Sequence, residues 1–386
     1  MHRSKRRPQP EFGKIDAQQN ARARAHERSE CVRALAAACL ALVCLIGAAH
    51  GAAAFDHAGV ARKAVEQHIR PGYHRLAAAA TALDEKLKGF CADQQEASLA
   101  AAKHAFADAV TAWGGIEHLR FGPIMEEHRY ERIVFWPDPK GIGSTQVSRL
   151  MSKNDPTLTS PKTLAKKSVA LQGLTALEQV MYGGGGLLGA KSGFRCQYAM
   201  AIGSNLAGIA SQVDAAWASP DGYAWLMLAP GPDNAAYLQP SEVTQELVMA
   251  YTTGLFSVRN LKIGAPLGLV QSSKVSSAAF AASGLDRALI AANLNGIREL
   301  FEASGLAAEI SVEDKGTGQA LLNEFGIALK IITELNVSLD EVAKTPELKE
   351  QVAVVGFALK NAYETGAARM KAAANLSLGF NALDGD

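Results

Sequence analysis

The sequence predicts an all-α fold, and three observations carry that expectation. Helix formers dominate in long Ala-, Leu-, Glu- and Lys-rich stretches. Runs of alternating β-branched residues, the mark of half-buried strands, are scarce. Turn chemistry punctuates the helical segments at Gly122-Pro123, Asn154-Asp155-Pro156, Gly183 to Gly186, Ser219-Pro220-Asp221-Gly222 and Ala229-Pro230-Gly231-Pro232. The composition, 48% apolar and 20% charged over 386 residues, is that of an ordinary globular protein. The length allows two domains.

The first 54 residues read as a targeting segment. Arg3 to Arg33 is basic and polar, Ala34 to Ala49 is a continuous apolar run, and Ala52-Ala53-Ala54 supplies a small-residue cleavage pattern. The apolar run is short for a membrane span, which needs roughly 20 residues. Neither Cys39 nor Cys44 has a convincing lipid-attachment context, and Arg6-Arg7 lies too far from the apolar run for a twin-arginine signal. The expected destination is the periplasm or outer envelope, with no membrane span in the mature chain.

Helices are expected over 58–88, 94–120, 161–182, 193–218, 241–262, 283–303, 317–334 and 345–373. Ser160 followed by Pro161 suits an N-cap with proline at the first helical position. Pro230-Gly231-Pro232-Asp233 is the best domain boundary, giving one helical bundle over 55–229 and a second over 230–386. Two segments flanking it match as T-x4-[IV]-x2-L-[RK]-[FI]-G followed by proline. One runs from Thr111 through Ile116, Leu119 and Arg120 to Pro123, the other from Thr253 through Val258, Leu261 and Lys262 to Pro266. The match suggests a duplicated four-helix bundle with a ligand cleft at a pseudo-twofold axis. Two similar helix C-termini, each with a cation near the negative end of the dipole, are the alternative to this preferred reading.

The first 54 residues hold nine of the 39 Lys/Arg and four of the 38 Asp/Glu, leaving 30 basic and 34 acidic residues, net −4. A mildly acidic protein has no general attraction to nucleic acid or anionic lipid. Two cysteines remain, Cys91 and Cys196. In an oxidising compartment such an isolated pair reads as one disulfide, two buried thiols being the alternative. Gly184 to Gly189 spells G-x-G-x-x-G, but it follows a helix where a dinucleotide site needs a strand. Gly189-Ala190-Lys191-Ser192 breaks the Walker pattern, and no nucleophile-elbow serine is present.

Several segments in order resemble one family. They are Trp113 with Arg120-Phe121-Gly122-Pro123, Glu131 to Asp138, Ala170 to Glu178, Phe194-Arg195-Cys196-Gln197-Tyr198, Lys262 before Pro266-Leu267-Gly268, and Gly379 to Asp386. Together these are similar to imelysin-like proteins of the peptidase M75 type, in the periplasmic branch described as predicted lipoproteins. The resemblance implies two four-helix-bundle-like domains, export to the envelope and a role in iron uptake. The family signature G-x-H-x-x-E falls on Gly173 to Glu178, with Thr175 in place of histidine. The last of the nine histidines is His128, so none lies near that motif in sequence.

Glu178 shares an apolar helical stripe with Leu171, Leu174 and Met181, so its carboxylate must be paired, protonated or metal-bound. One reading makes it a metal or proton-handling ligand in the interdomain cleft, with iron or another divalent ion as cofactor. The other makes it an ion-pair partner of Arg120, Arg132 or Arg195. Thr175 weakens the metal reading, because a hydroxyl is a poor donor. Arg120 and Lys262 suit a small anionic ligand bearing carboxylate or phosphate. Trp136 reads as a cleft wall or as core, and Asp138 as a partner of Arg132. His118, His128, Glu117, Glu126 and Glu127 read as a solvated face, and His57, His68, His74 and His104 as structural. Asn381, Asp384 and Asp386 fall short of a calcium loop. Three functions remain: a ligand- or metal-binding protein of iron or metal uptake, a metallopeptidase, and a non-catalytic partner of an envelope complex.

Overall fold

The computed structural model describes residues 54–184, 186–187, 192–270, 277–312 and 314–376. Residues 1–53 of the expected targeting segment, Lys191 and the terminal Asn381, Asp384 and Asp386 lie outside them. Every regular element among the described residues is helical. No helix there is long and apolar enough to cross a membrane.

Asp56 caps α1 (His57–Ala64) by accepting from the amide of Gly59 at 2.8 Å. The helix runs without a break through a π turn, Val65–Ile69, into α2 (Arg70–Asp93), which stops at left-handed Gln94. Then come α3 (Glu96–Gly114), α4 (Arg129–Ile133), α5 (Ile142–Ser152), α6 (Leu174–Tyr182) and α7 (Ser192–Ala218). The second half holds α8 (Tyr223–Leu228), α9 (Pro240–Phe256), α10 (Asp286–Ala303), α11 (Thr317–Glu334) and α12 (Pro346–Ala373). Gln239 and Glu242 close a reciprocal capping box at the start of α9. A second π turn, Ser257–Gly264, extends α9.

The long helices fall close to the expected spans. The segment 161–182 is the main exception: Gly173 interrupts it, and only 174–182 forms more than a turn of helix. A β-carbon on Gly173 would lie 2.3 Å from the carbonyl oxygen of Ile133, so the close approach of α4 demands glycine there.

In one group, α2 packs on α3 and α7; in the other, α12 packs on α9 and α11, and α10 on α11. Packing crosses residue 230, since α1 lies on α9 and α3 on α10. The described residues from Phe55 onward form one compact unit. The α3–α10 approach is close enough that a β-carbon on Gly296 would meet the Gly115 carbonyl oxygen at 2.1 Å. The all-α class is observed; an internal duplication is not. The first matching segment leaves its helix at Gly114, six residues before Arg120, whereas the second winds on as a π turn that includes Lys262. Arg120 is therefore not a helix C-cap.

The expected disulfide is present. Cys91 on α2 and Cys196 on α7 are joined, with their Cα atoms 5.5 Å apart.

Candidate functional site

Gly115 to Arg120 leaves α3 and turns across the faces of α9 and α10. The apolar residues Ile116 and Leu119 anchor this turn in the core. Between them the chain buries Glu117 and His118, 8% and 4% exposed. An unpaired charge at such depth is costly. Glu117 meets that cost with the Lys262 ammonium, which itself is 2% exposed. Asn293 locks the pair from α10. Its Oδ1 accepts from Lys262 Nζ at 2.8 Å, and its amide donates to Glu117 Oε2 and to the Gly114 carbonyl, each at 2.9 Å. Burial pulls the Lys262 ammonium below the usual lysine range, while the Glu117 carboxylate works against that fall. Removing one member of such a pair typically costs about 3–5 kcal/mol, because the other is left charged and unpartnered.

Arg120 lies in the same cleft. Its Nε and one terminal nitrogen donate to the Tyr130 hydroxyl at 3.0 and 2.8 Å, and that hydroxyl donates to the Glu117 carbonyl at 3.2 Å. Among the described residues no carboxylate stands within ion-pair distance of Arg120. Glu117 and Lys262 cancel, so the cleft keeps one positive charge. Its wall is completed by Thr253, Gly254, Ser257, Val258 and Ile297, and the space inside is about 10 Å³, room for about one water. Two buried polar atoms on this wall, His118 Nδ1 and Thr253 Oγ1, have no hydrogen-bond partner among the described residues. The other ring nitrogen of His118 meets His68 Nε2 at 3.1 Å.

The sequence-derived candidates separate into two places. Arg120 and Lys262 share the cleft, and Trp136 flanks it, with Lys262 Nζ 5.7 Å from its ring centroid. Glu178 does not join them: no hydrogen bond or ion pair links it to either cation. It is buried, and its Oε1 accepts from the Ser283 amide at 2.8 Å and the Ser283 hydroxyl at 2.6 Å. Nor does it pair with Arg132 or Arg195. Burial raises its pKa above the ordinary glutamate value; the Ser283 donors oppose this, and nearby Asp286 adds to it.

Thr175 Oγ1 accepts from the Phe135 amide at 3.3 Å. Asp138 does not pair with Arg132. It caps α5 instead, accepting from the amides of Ile142 and Gly143, each at 2.8 Å. Arg132 donates to Gln172 and Asn205 at 2.9 and 3.1 Å. Arg195 satisfies the end of α6 and the loop beyond, donating to the carbonyls of Gly183, Gly184 and Gly186 at 2.7, 2.9 and 2.9 Å.

A family model described as Peptidase_M75, Imelysin, matches residues 69–373. The chain belongs to the imelysin family. Among solved structures, an imelysin-like protein from Psychrobacter arcticum 273-4 is similar to it with a TM-score of 0.70 at 18% identity, over 84% of this chain and 97% of that one. An iron-regulated protein A precursor from Parabacteroides distasonis ATCC 8503 is similar with a TM-score of 0.66 at 14% identity, over 82% and 95% of the two chains. At these identities the likeness shows the fold. No curated protein matches the chain significantly.

In this imelysin the motif residues Thr175 and Glu178 do not make a metal centre. The threonine hydroxyl and the glutamate both hold backbone amides, and no three His, Cys, Asp or Glu side chains converge among the described residues. Around Thr175 and Glu178 the described residues therefore do not supply a ligand set that fits iron or zinc. Sequence reasoning missed Glu117, His118, His68, Tyr130 and Asn293. For Glu117 and His118 the reading as a solvated face was wrong; only Glu126, Glu127 and His128 of that group are exposed. The missed signal was local, because Ile116 and Leu119 enclose two polar residues that follow a Gly-Gly close-packing site.

Proposed function

We propose that this imelysin is an exported ligand-binding protein of iron or metal uptake that takes a small anion in the cleft between the two halves of its sequence. The ligand carries a carboxylate or phosphate group. One observation carries the reading: Arg120, with no carboxylate at ion-pair distance, shares a cleft with two buried polar atoms, on His118 and Thr253, that have no hydrogen-bond partner among the described residues. Guanidinium, hydroxyl and imidazole together recognise an oxyanion. Tyr130 holds Arg120 in place and the Glu117–Asn293 clamp holds Lys262, and with room for about one water between them the walls of the cleft must part to admit the anion. Export is supported by the apolar run and small-residue pattern before residue 55 and by the Cys91–Cys196 bridge. The link to iron rests on the family and on the name of the Parabacteroides relative.

The test is calorimetric titration of the mature chain with citrate, phosphate and sulfate. At least one should bind, and Arg120→Ala should weaken it at least tenfold, the loss of a charge-assisted contact. No binding of any of the three, or binding indifferent to Arg120→Ala, overturns the proposal.

A further inference from the structure

A pocket of about 460 Å³ opens where α5 lies on α6 and α6 on α7. That volume falls within the range of small-molecule sites, roughly 300–1,000 Å³. α5 brings the hydroxyls of Ser144, Ser148 and Ser152, whose spacing of four residues puts them on one helical face. Asn154, just past the end of α5, has a left-handed backbone with φ of 48° and adds a side-chain amide. Gln179 of α6 adds another. The apolar part of the wall comes from Val147 and Met151 of α5 and Phe194 of α7. The pocket and the Arg120 cleft have no lining residue in common.

The wall offers a ligand hydrogen bonds but no spare charge. Among the described residues no aspartate, glutamate, histidine or lysine lines the pocket, so a metal ion finds no anionic donor there. Arg195 lines it, but its guanidinium already donates to the carbonyls of Gly183, Gly184 and Gly186, at the negative end of the α6 dipole. An anion would meet donors that are taken. The neutral groups are open to a ligand. Ser144, Ser148, Asn154 and Gln179 make no side-chain hydrogen bond among the described residues. Ser152 donates to the Arg149 carbonyl at 2.8 Å and keeps its lone pairs.

We infer that this pocket is a second binding site and takes a neutral sugar of one or two hexose rings. A hexose carries hydroxyls around its rim, each both donor and acceptor, and C–H groups on its two faces. Serine hydroxyls and side-chain amides match the rim, because they too both donate and accept. An amide can hold two neighbouring hydroxyls at once, one through its N–H and one through its carbonyl. Phe194 and Met151 match the faces. Gln179 is half-buried on α6, and the buried Leu177 and Val180 beside it fix that helix in the core. Ser144, Ser148, Ser152 and Asn154 are exposed, so the pocket opens to solvent on the side of α5 and needs no helix movement to fill.

The experiment is ligand-observed saturation-transfer NMR, followed by titration, of the mature chain with glucose, maltose and N-acetylglucosamine. At least one should bind with millimolar affinity or tighter. Ser148→Phe changes an exposed position on α5 and sets a ring in the mouth of the pocket, so it should abolish the binding. Gln179→Met keeps the length of the side chain and removes its amide. It should weaken the sugar about fivefold, the loss of one hydrogen bond, and gives a second reading should the phenylalanine variant fail to fold. Failure of all three sugars to bind at millimolar concentration overturns the inference. So does sugar binding that survives both substitutions undiminished. Neither result touches the anion reading of the Arg120 cleft.

Discussion

At the residue scale, burial decides which polar side chains carry information. Glu178 and Glu117 are both buried acids, yet they meet it differently. Glu117 has a cation and an amide, whereas Glu178 has one serine. A carboxyl whose folded pKa is raised adds stability below its ordinary value, and loses that contribution as pH climbs through the raised one. Glu178 is in this position, so its contribution is full below about pH 4.5 and declines above it. Glu178→Gln keeps an oxygen for both Ser283 donors and cannot ionise. We expect urea denaturation to find the variant more stable than the parent at pH 8, with the gap closed at pH 4. The reverse order would mean that the site holds the ionised acid. The sequence disclosed that Glu178 is buried, because its stripe of leucines is legible at helical spacing. It did not disclose the partner, since Ser283 is 105 residues away.

At the element scale, the polar residues that matter sit where helices depart from regular geometry. His68 lies on one π turn and Lys262 on another, and the wide turn is a common place for functional side chains. Helical periodicity cannot locate such a residue, because the extra residue per turn shifts the face. Arg195 illustrates the opposite case, a candidate site residue whose work is capping. Arg195→Ala should leave the carbonyls after α6 without their donor and cost about 1–3 kcal/mol, as the midpoint of chemical denaturation would record. It should leave anion affinity as it is, because Arg195 is not among the residues lining the cleft.

For the whole molecule, the Cys91–Cys196 bridge ties α2 to α7 across a sequence separation of 105 residues. The chain-entropy model assigns a loop of that length about 4.7 kcal/mol. The Cys91→Ser, Cys196→Ser double variant should therefore be less stable by up to that amount in guanidinium titration. An unchanged midpoint would show that the α2–α7 contact already restrains the unfolded chain. Contacts cross the expected boundary at residue 230, where α1 packs on α9 and α3 on α10.

What the sequence by itself determined was the helical class, the span of most long helices, the family and the disulfide pair. Each of these rests on periodicity, composition or an ordered set of segments, all of which are local in the chain. What only the tertiary structure decided was which polar groups meet. Glu117 finds Lys262 at a separation of 145 residues, and His118 finds His68 at 50. The physical reason is that pairing among buried charges is fixed by the close approach of distant helices, here through Gly254 and Gly296, and a chain read residue by residue carries no record of that approach.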